Sequence, residues 1–196
     1  MSITKRVALT FDDGPNLPYT NQILDILKKE NIKAAFFVCG ANIKRHPEII
    51  RKIAKENHLI GNHSFSHNRL TTFLGINYGE ILKTQKLIED LTAQRIKLYR
   101  PPHGFMNLFL RKKLITQGFK IVLFDTVGRD WESKITSGKI VTNIVDNVKL
   151  GSIILLHDGS DINIGVNRSK TVQALPEIIN KLEENNFQIV PLEELS

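Results

Sequence analysis

Two of the six histidines lie four residues apart, in His63-Ser64-Phe65-Ser66-His67. On a helical turn both imidazoles would share a face. Alone, such a pair is more often incidental than metal-binding. A second feature changes that balance: two adjacent acids, Asp12-Asp13, follow an apolar run and precede Gly14-Pro15. Buried without a cation they would be costly, and a metal relieves the cost. Two histidines and one carboxylate complete a three-ligand catalytic site with open positions for water. Zinc is the first expectation for these donors, with Co2+ and Ni2+ as alternatives. Adjacent residues point in different directions, so one acid can bind the metal while the other faces the water it activates. The spacing does not say which.

Other titratable residues recur after apolar runs. His157 closes Ile153-Ile154-Leu155-Leu156 and is followed by Asp158-Gly159. Histidine titrates near neutral pH, which suits a general acid; a histidine that merely caps a strand is the alternative. Arg100 precedes Pro101-Pro102-His103-Gly104, a rigid turn in which a guanidinium is suited to orienting a carboxylate. Asp125 and then Arg129-Asp130-Trp131 follow Ile121–Phe124. Trp131, the only tryptophan, fits core packing and sugar stacking equally well.

These side chains need elements to position them. Apolar runs rich in β-branched and aromatic residues predict buried strands at Val7–Thr10, Ala34–Val38, His58–Ile60, Lys97–Tyr99, Ile121–Phe124, Ser152–Leu156 and Phe187–Val190. Helical spacing of apolar residues predicts helices over Thr20–Glu30, Pro47–Glu56, Tyr78–Gln94, Leu108–Gln117, Lys139–Val148 and Thr171–Asn185. Pro47 suits a first helical position and Gly118 a stop. Strands alternating with helices imply a parallel α/β architecture. Closure into a barrel is favoured over an open sheet, because polar residues converge from many strands. Five strands end in titratable residues at one C-terminal edge, where α/β barrels build active sites.

The length of 196 residues fits a single domain, 1–196, able to bury a core without staples. The single cysteine, Cys39, excludes an internal disulfide and reads as a small core residue in the run Ala34–Cys39. Net charge is +7, which could attract nucleic acid, an anionic membrane or an acidic polymer. The lysines read as dispersed over helix faces, and no nucleic-acid motif appears, so no nucleic-acid partner is expected. No stretch is long and apolar enough to span a bilayer. Met1-Ser2-Ile3-Thr4-Lys5-Arg6 lacks the apolar core of a signal peptide. Two localisations stay open: cytoplasmic, or secreted to the cell wall with a leader outside this sequence.

The motifs together resemble carbohydrate esterase family 4, the nodulation-type polysaccharide deacetylases. Thr10-Phe11-Asp12-Asp13-Gly14-Pro15 matches that family's first motif, and His63–His67 its H-[ST]-x-x-H motif. Arg100-Pro101-Pro102-His103-Gly104 is similar to its R-x-P-Y motif, Asp130-Trp131 to the end of D-x-x-D-W, and Leu155-Leu156-His157 to L-x-H. The resemblance covers nearly the whole chain, in the same order and spacing. It implies a distorted (β/α) barrel of about seven parallel strands. It also implies that Asp13, His63 and His67 hold the metal and that Asp12 is the general base, positioned by Arg100. His157 would be the general acid, tuned by Asp130. Trp131 and Leu155 would line the pocket for the acetyl methyl, and Pro102 and His103 would join them in binding substrate. Two positions depart from the pattern. His103 replaces the usual tyrosine, whose backbone N–H helps bind the oxyanion. Val127 stands where the fourth motif often has its first aspartate, and Asp125 lies two residues too early to replace it.

The implied reaction is hydrolysis of an acetamide on an N-acetylated glycan, releasing acetate. Peptidoglycan and chitin oligosaccharides both fit. Two rivals are a hydrolase of a small amide or cyclic imide on the same barrel, and a carbohydrate-binding protein without catalysis. The intact acid, base and metal set argues against the second. Specificity is expected in the loops Asn68–Asn77 and Ser160–Ser169.

Overall fold

The computed structural model describes residues 5–160 and 165–195. Residues 161–164, part of the expected specificity loop Ser160–Ser169, lie outside the described residues, as do 1–4 and 196.

The described strands are β1 (Lys5–Asp12), β2 (Ala35–Val38), β3 (Leu59–Asn62), β4 (Leu98–Tyr99), β5 (Lys120–Ile121), β6 (Thr126–Val127), β7 (Ile153–His157) and β8 (Phe187–Ile189). The helices are α1 (Tyr19–Lys29), α2 (Gly40–Arg45), α3 (Pro47–Lys55), α4 (Arg69–Leu74), α5 (Tyr78–Thr92), α6 (Leu108–Thr116), α7 (Ser137–Val145) and α8 (Ser169–Glu184). Every strand pair is parallel. Seven strands run in the order β5-β4-β3-β2-β1-β7-β6, and β8 pairs with the start of β1. The sheet curls into a half-barrel whose end strands β5 and β6 do not pair with each other among the described residues. The fold expected from the sequence is therefore present, with one more strand than the seven predicted.

Strand parity sorts the side chains. Val7, Leu9 and Phe11 of β1, Phe36 and Val38 of β2, and Ile154 and Leu156 of β7 enter the main core, with Ile23, Leu24 and Leu27 of α1 and Ile178, Ile179 and Leu182 of α8. The alternate residues Ala8, Ala35, Phe37 and Ile153 face the concave side. Thr10 and Asp12 share the parity of Ala8, as Leu155 and His157 share that of Ile153. Asp12 and His157 are direct partners in the β1–β7 register. The strand period alone thus turns both toward the same concave surface.

The sequence and the structure differ in four places. The run Ile121–Phe124 is not one strand: pairing stops at Ile121 and resumes at Thr126. The carbonyls of Val122 and Leu123 accept from the Arg100 guanidinium instead. Consequently Asp125 lies before β6, where it accepts from Ser152 Oγ and Ile153 N at the start of β7. That is the edge opposite the one expected, and Asp130 follows β6 rather than the predicted strand. His63 and His67 lie on a bend after β3, not on a helix. Finally, two short helices, α2 and α4, stand where no helix was predicted; Asn68 caps α4 by accepting from Thr71 N at 3.1 Å. Among the described residues no helix is long and apolar enough to cross a membrane.

Gly61 shows how tightly the concave side is built. A Cβ there would sit 2.3 Å from the Phe37 ring, and that ring lies 4.0 Å under the Arg100 guanidinium. Gly61→Ala should lower stability by about 1–3 kcal/mol, the usual cost of overpacking, read as a fall in urea midpoint at unchanged slope. An unchanged midpoint would mean the ring moves aside freely.

Candidate active site

The C-terminal ends of β1, β3 and β7, with the segments after β4 and β6, surround one cleft of about 540 Å³. Asp12, Asp13, His63, His67, His103, Trp131, Leu155 and His157 line it. Arg100 and Asp130 are buried and reach it through Asp12 and His157. Pro102 lines a neighbouring hollow that shares His103 with the cleft.

Asp13 is the residue after β1, and its φ of 75° turns it out of the strand. Few non-glycine residues adopt that conformation. The Asn42 amide fixes the turn by donating to the Asp13 carbonyl at 2.6 Å. Asp13 Oδ1 then lies 3.5 Å from His63 Nε2 and 3.4 Å from His67 Nε2. One ligand atom from each of the three lies within 4.8 Å of the others. Those separations are close to the ~3.4 Å edge of a tetrahedron with bonds of about 2.1 Å. The chemistry also fits. The His63 Nδ1 contacts the Arg100 carbonyl at 2.8 Å, which assigns the proton to Nδ1 and leaves the Nε2 lone pair toward Asp13. Burial, with His67 beside it, lowers the His63 pKa to about 3 against the raising pull of Asp13. His63 is therefore a neutral imidazole, the form that binds metal. The three residues fit a divalent metal.

The bend carrying the two histidines is held from beneath. Ser64 Oγ, Ser66 N and Ser66 Oγ all donate to the Glu80 carboxylate at 2.8–3.0 Å. Thr84 Oγ1 and Gly40 N donate to the Ser64 carbonyl. Ser64 and His67 both have positive φ. Burial raises the Glu80 pKa, but the Ser66 and Ser64 hydrogen bonds outweigh it and hold the carboxyl below its ordinary value. Sequence reasoning missed Glu80; its only signal was an acid in the first turn of a helix, which ordinarily marks a helix start.

Asp12 Oδ1 accepts from Arg100 Nη1 at 2.7 Å, while Oδ2 points toward His63 Nε2 at 3.6 Å. One oxygen is thus pinned and the other faces the three-residue cluster. Burial raises the Asp12 pKa more than Arg100 and His157 lower it, so its carboxylate is more basic than an ordinary one. On the other side of the cleft, His157 Nδ1 meets Asp130 Oδ1 at 2.8 Å, and His157 N donates to Asp130 Oδ2. Thr171 Oγ1 also donates to Oδ2, and Arg168 Nη1 donates to the Asp130 carbonyl. Neither Thr171 nor Arg168 carried a sequence signal. Burial works against the charged His157 ring, but the Asp130 carboxylate outweighs it and Asp13 and Asp12 add to it, giving a pKa pushed up to about 9. Trp131 is half exposed and meets the His157 ring edge-on at 5.2 Å, a place in the cleft wall rather than the core.

The comparisons with known proteins agree with this geometry. The family model for polysaccharide deacetylase matches residues 2–122. The chain belongs to this family. It is 37% identical over 187 residues to a peptidoglycan-N-acetylglucosamine deacetylase of Bacillus cereus, covering 95% of the chain and 66% of the relative. It is 37% identical over 195 residues to the peptidoglycan-N-acetylmuramic acid deacetylase PdaC of Bacillus subtilis, covering 97% of the chain but 38% of the relative. The chain therefore spans less than two thirds of these relatives. Its fold is similar to the crystal structure of the Bc1960 peptidoglycan N-acetylglucosamine deacetylase, with a TM-score of 0.90 at 36% identity, over 98% of this chain and 88% of that one.

The His157–Asp130 pair gives a titration to measure. In metal-free protein the His157 ring should titrate near pH 9 by NMR, and Asp130→Asn should lower that value, since burial then acts with less opposition. Because the folded pKa lies above the ordinary value, the pair's stability is complete below about pH 6.5 and lost as pH rises through about 9. A wild-type ring titrating at or below 6.5 would break the pairing.

Proposed function

We propose that the chain is a metal-dependent N-deacetylase acting on the amino sugars of peptidoglycan and releasing acetate. One observation carries the reading. Two buried carboxylates are paired to different cationic partners, so that Asp12, held by Arg100, and His157, held by Asp130, are the two groups presented to the three-ligand cluster in one cleft. That arrangement separates a base from an acid, as amide hydrolysis requires. The peptidoglycan substrates named for the relatives favour the same polymer.

Asp13, His63 and His67 would hold zinc, whose chemistry is to polarise the acetyl carbonyl and to make water acidic enough to attack near neutral pH. Asp12 Oδ2, the oxygen that Arg100 leaves unpinned, takes the proton of the attacking water. Arg100 keeps the carboxylate aimed. As the acetyl carbon becomes tetrahedral, the backbone N–H of His103 donates to the developing oxyanion. His157, protonated beside Asp130, gives its proton to the sugar nitrogen as the C–N bond breaks. Acetate and the free amine leave. Trp131 and Leu155 form the wall that receives the acetyl methyl, and Pro102 contacts the glycan on the side of the neighbouring hollow.

Asp12→Asn keeps the shape of the side chain and removes the basic oxygen. Acetate release should fall by roughly 10²–10⁴ while metal content by elemental analysis stays near one ion per chain. His63→Ala or His67→Ala should lose the metal itself. Loss of metal in Asp12→Asn equal to its loss of activity would mean that the roles of Asp12 and Asp13 are exchanged.

An amine leaves poorly unless protonated, whereas an activated ester does not need the proton. His157→Ala should therefore keep its metal, lose most amide hydrolysis and retain much of its activity on an activated acetyl ester. Equal losses on both substrates would remove His157 as the leaving-group acid.

A further inference from the structure

Beyond the cleft, one face of the molecule is built unlike the rest. It is formed by α4, the segment after it and the start of α6. Leu70, Phe73, Leu74, Ile76, Leu108 and Phe109 all stand at least half exposed there, Leu108 at 78% and Phe109 at 87%. They are not scattered. Asn107 Nδ2 donates to the Leu74 carbonyl at 2.8 Å and ties the end of α4 to the start of α6. Phe73 stacks on Phe105 with ring centres 5.6 Å apart. A hollow of about 540 Å³ opens between them, lined by Leu70, Phe73, Phe105 and Arg69. Contiguous exposed apolar surface of this kind marks an interaction site rather than ordinary surface.

The Lys, Arg, Asp and Glu residues that line the two hollows of this face, Arg69, Arg111 and Lys112, are all cations. Residues 57–79 and 91–124, which contain the whole patch, hold no aspartate or glutamate. Arg69 lines the hollow, and Arg111 and Lys112 lie beside Leu108 on α6. The lysines read as dispersed over helix faces thus include one, Lys112, that borders an apolar patch. We propose that this face docks on an anionic lipid bilayer. The leucine, isoleucine and phenylalanine tips enter the boundary between headgroups and acyl chains, and the cations pair with lipid phosphates. A second copy of the chain is a poor occupant, because a two-fold contact would bring the cations Arg69, Arg111 and Lys112 of one copy against the same cationic surface of the other. Beyond the rim at Pro102 and His103, a glycan is also disfavoured: bare aliphatic side chains offer its hydroxyls no hydrogen bonds, and no carboxylate from these segments is present to accept them. The hollow shares His103 with the catalytic cleft, so docking here sets the cleft mouth at the bilayer edge.

Co-sedimentation of the full, metal-loaded chain with vesicles tests the idea. It should bind mixed phosphatidylglycerol–phosphatidylcholine vesicles at low salt and bind pure phosphatidylcholine vesicles much less. The pair Leu108→Asp with Phe109→Asp, at sites too exposed to disturb folding, should weaken binding by roughly tenfold or more. Arg111→Glu with Lys112→Glu should do the same and reduce the salt dependence. Circular dichroism and melting temperature confirm that both variants fold. No binding to anionic vesicles overturns the proposal. So does full binding by the Leu108/Phe109 variant, which would leave only diffuse charge attraction. A dimer that the same variant dissolves assigns the face to a second copy. Reduced affinity for soluble glycan oligomers with vesicle binding intact assigns it to the polymer.

Discussion

A guanidinium removed from water must be satisfied where it sits, and in this protein that guanidinium is Arg100. It is among the largest fully buried side chains of the molecule. It donates to Asp12 Oδ1, Thr10 Oγ1 and the carbonyls of Val122 and Leu123. Its plane lies over Phe37. A buried ion pair brings little net stability, but removing one partner leaves an uncompensated charge and costs several kcal/mol. What the arrangement provides is position. It fixes one oxygen of Asp12, fills the concave side of the half-barrel, and takes up the backbone carbonyls between β5 and β6. The break between β5 and β6 and the aim of the Asp12 carboxylate thus both involve one buried cation.

The parts of this structure legible in the sequence are those that follow from period and from local chemistry. Parity in β1 and β7 puts Asp12 and His157 on the concave side, and apolar runs located most strands within a residue or two. The strand Thr126–Val127 was illegible, because its boundary is set by Arg100, which lies in another part of the chain and captures the preceding carbonyls. Asp125 was misplaced for the same reason. The H-x-x-x-H spacing correctly brought His63 and His67 together, with ring centres 4.8 Å apart, but for the wrong reason. Their convergence comes from a bend hung on Glu80 and stabilised by Gly40 and Thr84. No local pattern announces such a tertiary scaffold. Thr171 and Arg168 escaped notice likewise, since they meet Asp130 only after α8 has packed.

Backbone strain is concentrated in the same region. Asp13, Ser64, His67, His103 and Arg129 all have positive φ, and each lies in or beside a segment that supplies a cleft residue. Left-handed conformations cost a non-glycine residue free energy unless the surroundings over-determine them. Here they are over-determined: Asn42 holds the Asp13 carbonyl and Glu80 holds the bend around Ser64. The strain is compatible with side chains that must leave the strand direction at once in order to converge.

The two carboxylates that flank the cluster show how environment divides identical groups. Asp12 and Asp130 are both buried. Asp12 has one oxygen on a guanidinium, which stays charged at any working pH, and its second oxygen faces the cleft. Burial therefore raises its basicity while it remains aimed at the cluster. Asp130 has both oxygens engaged by His157, with Thr171 adding a further donor, and its pKa is lowered below the ordinary value despite burial. It cannot act as a base toward the cleft; its charge is expressed instead as a proton held on His157. One residue type is thus given opposite proton affinities, raised at Asp12 and lowered at Asp130, and the proposed base and acid differ in whether the partner cation can give its proton away. Arginine cannot and histidine can, and that difference sets the direction in which a proton can cross this cleft.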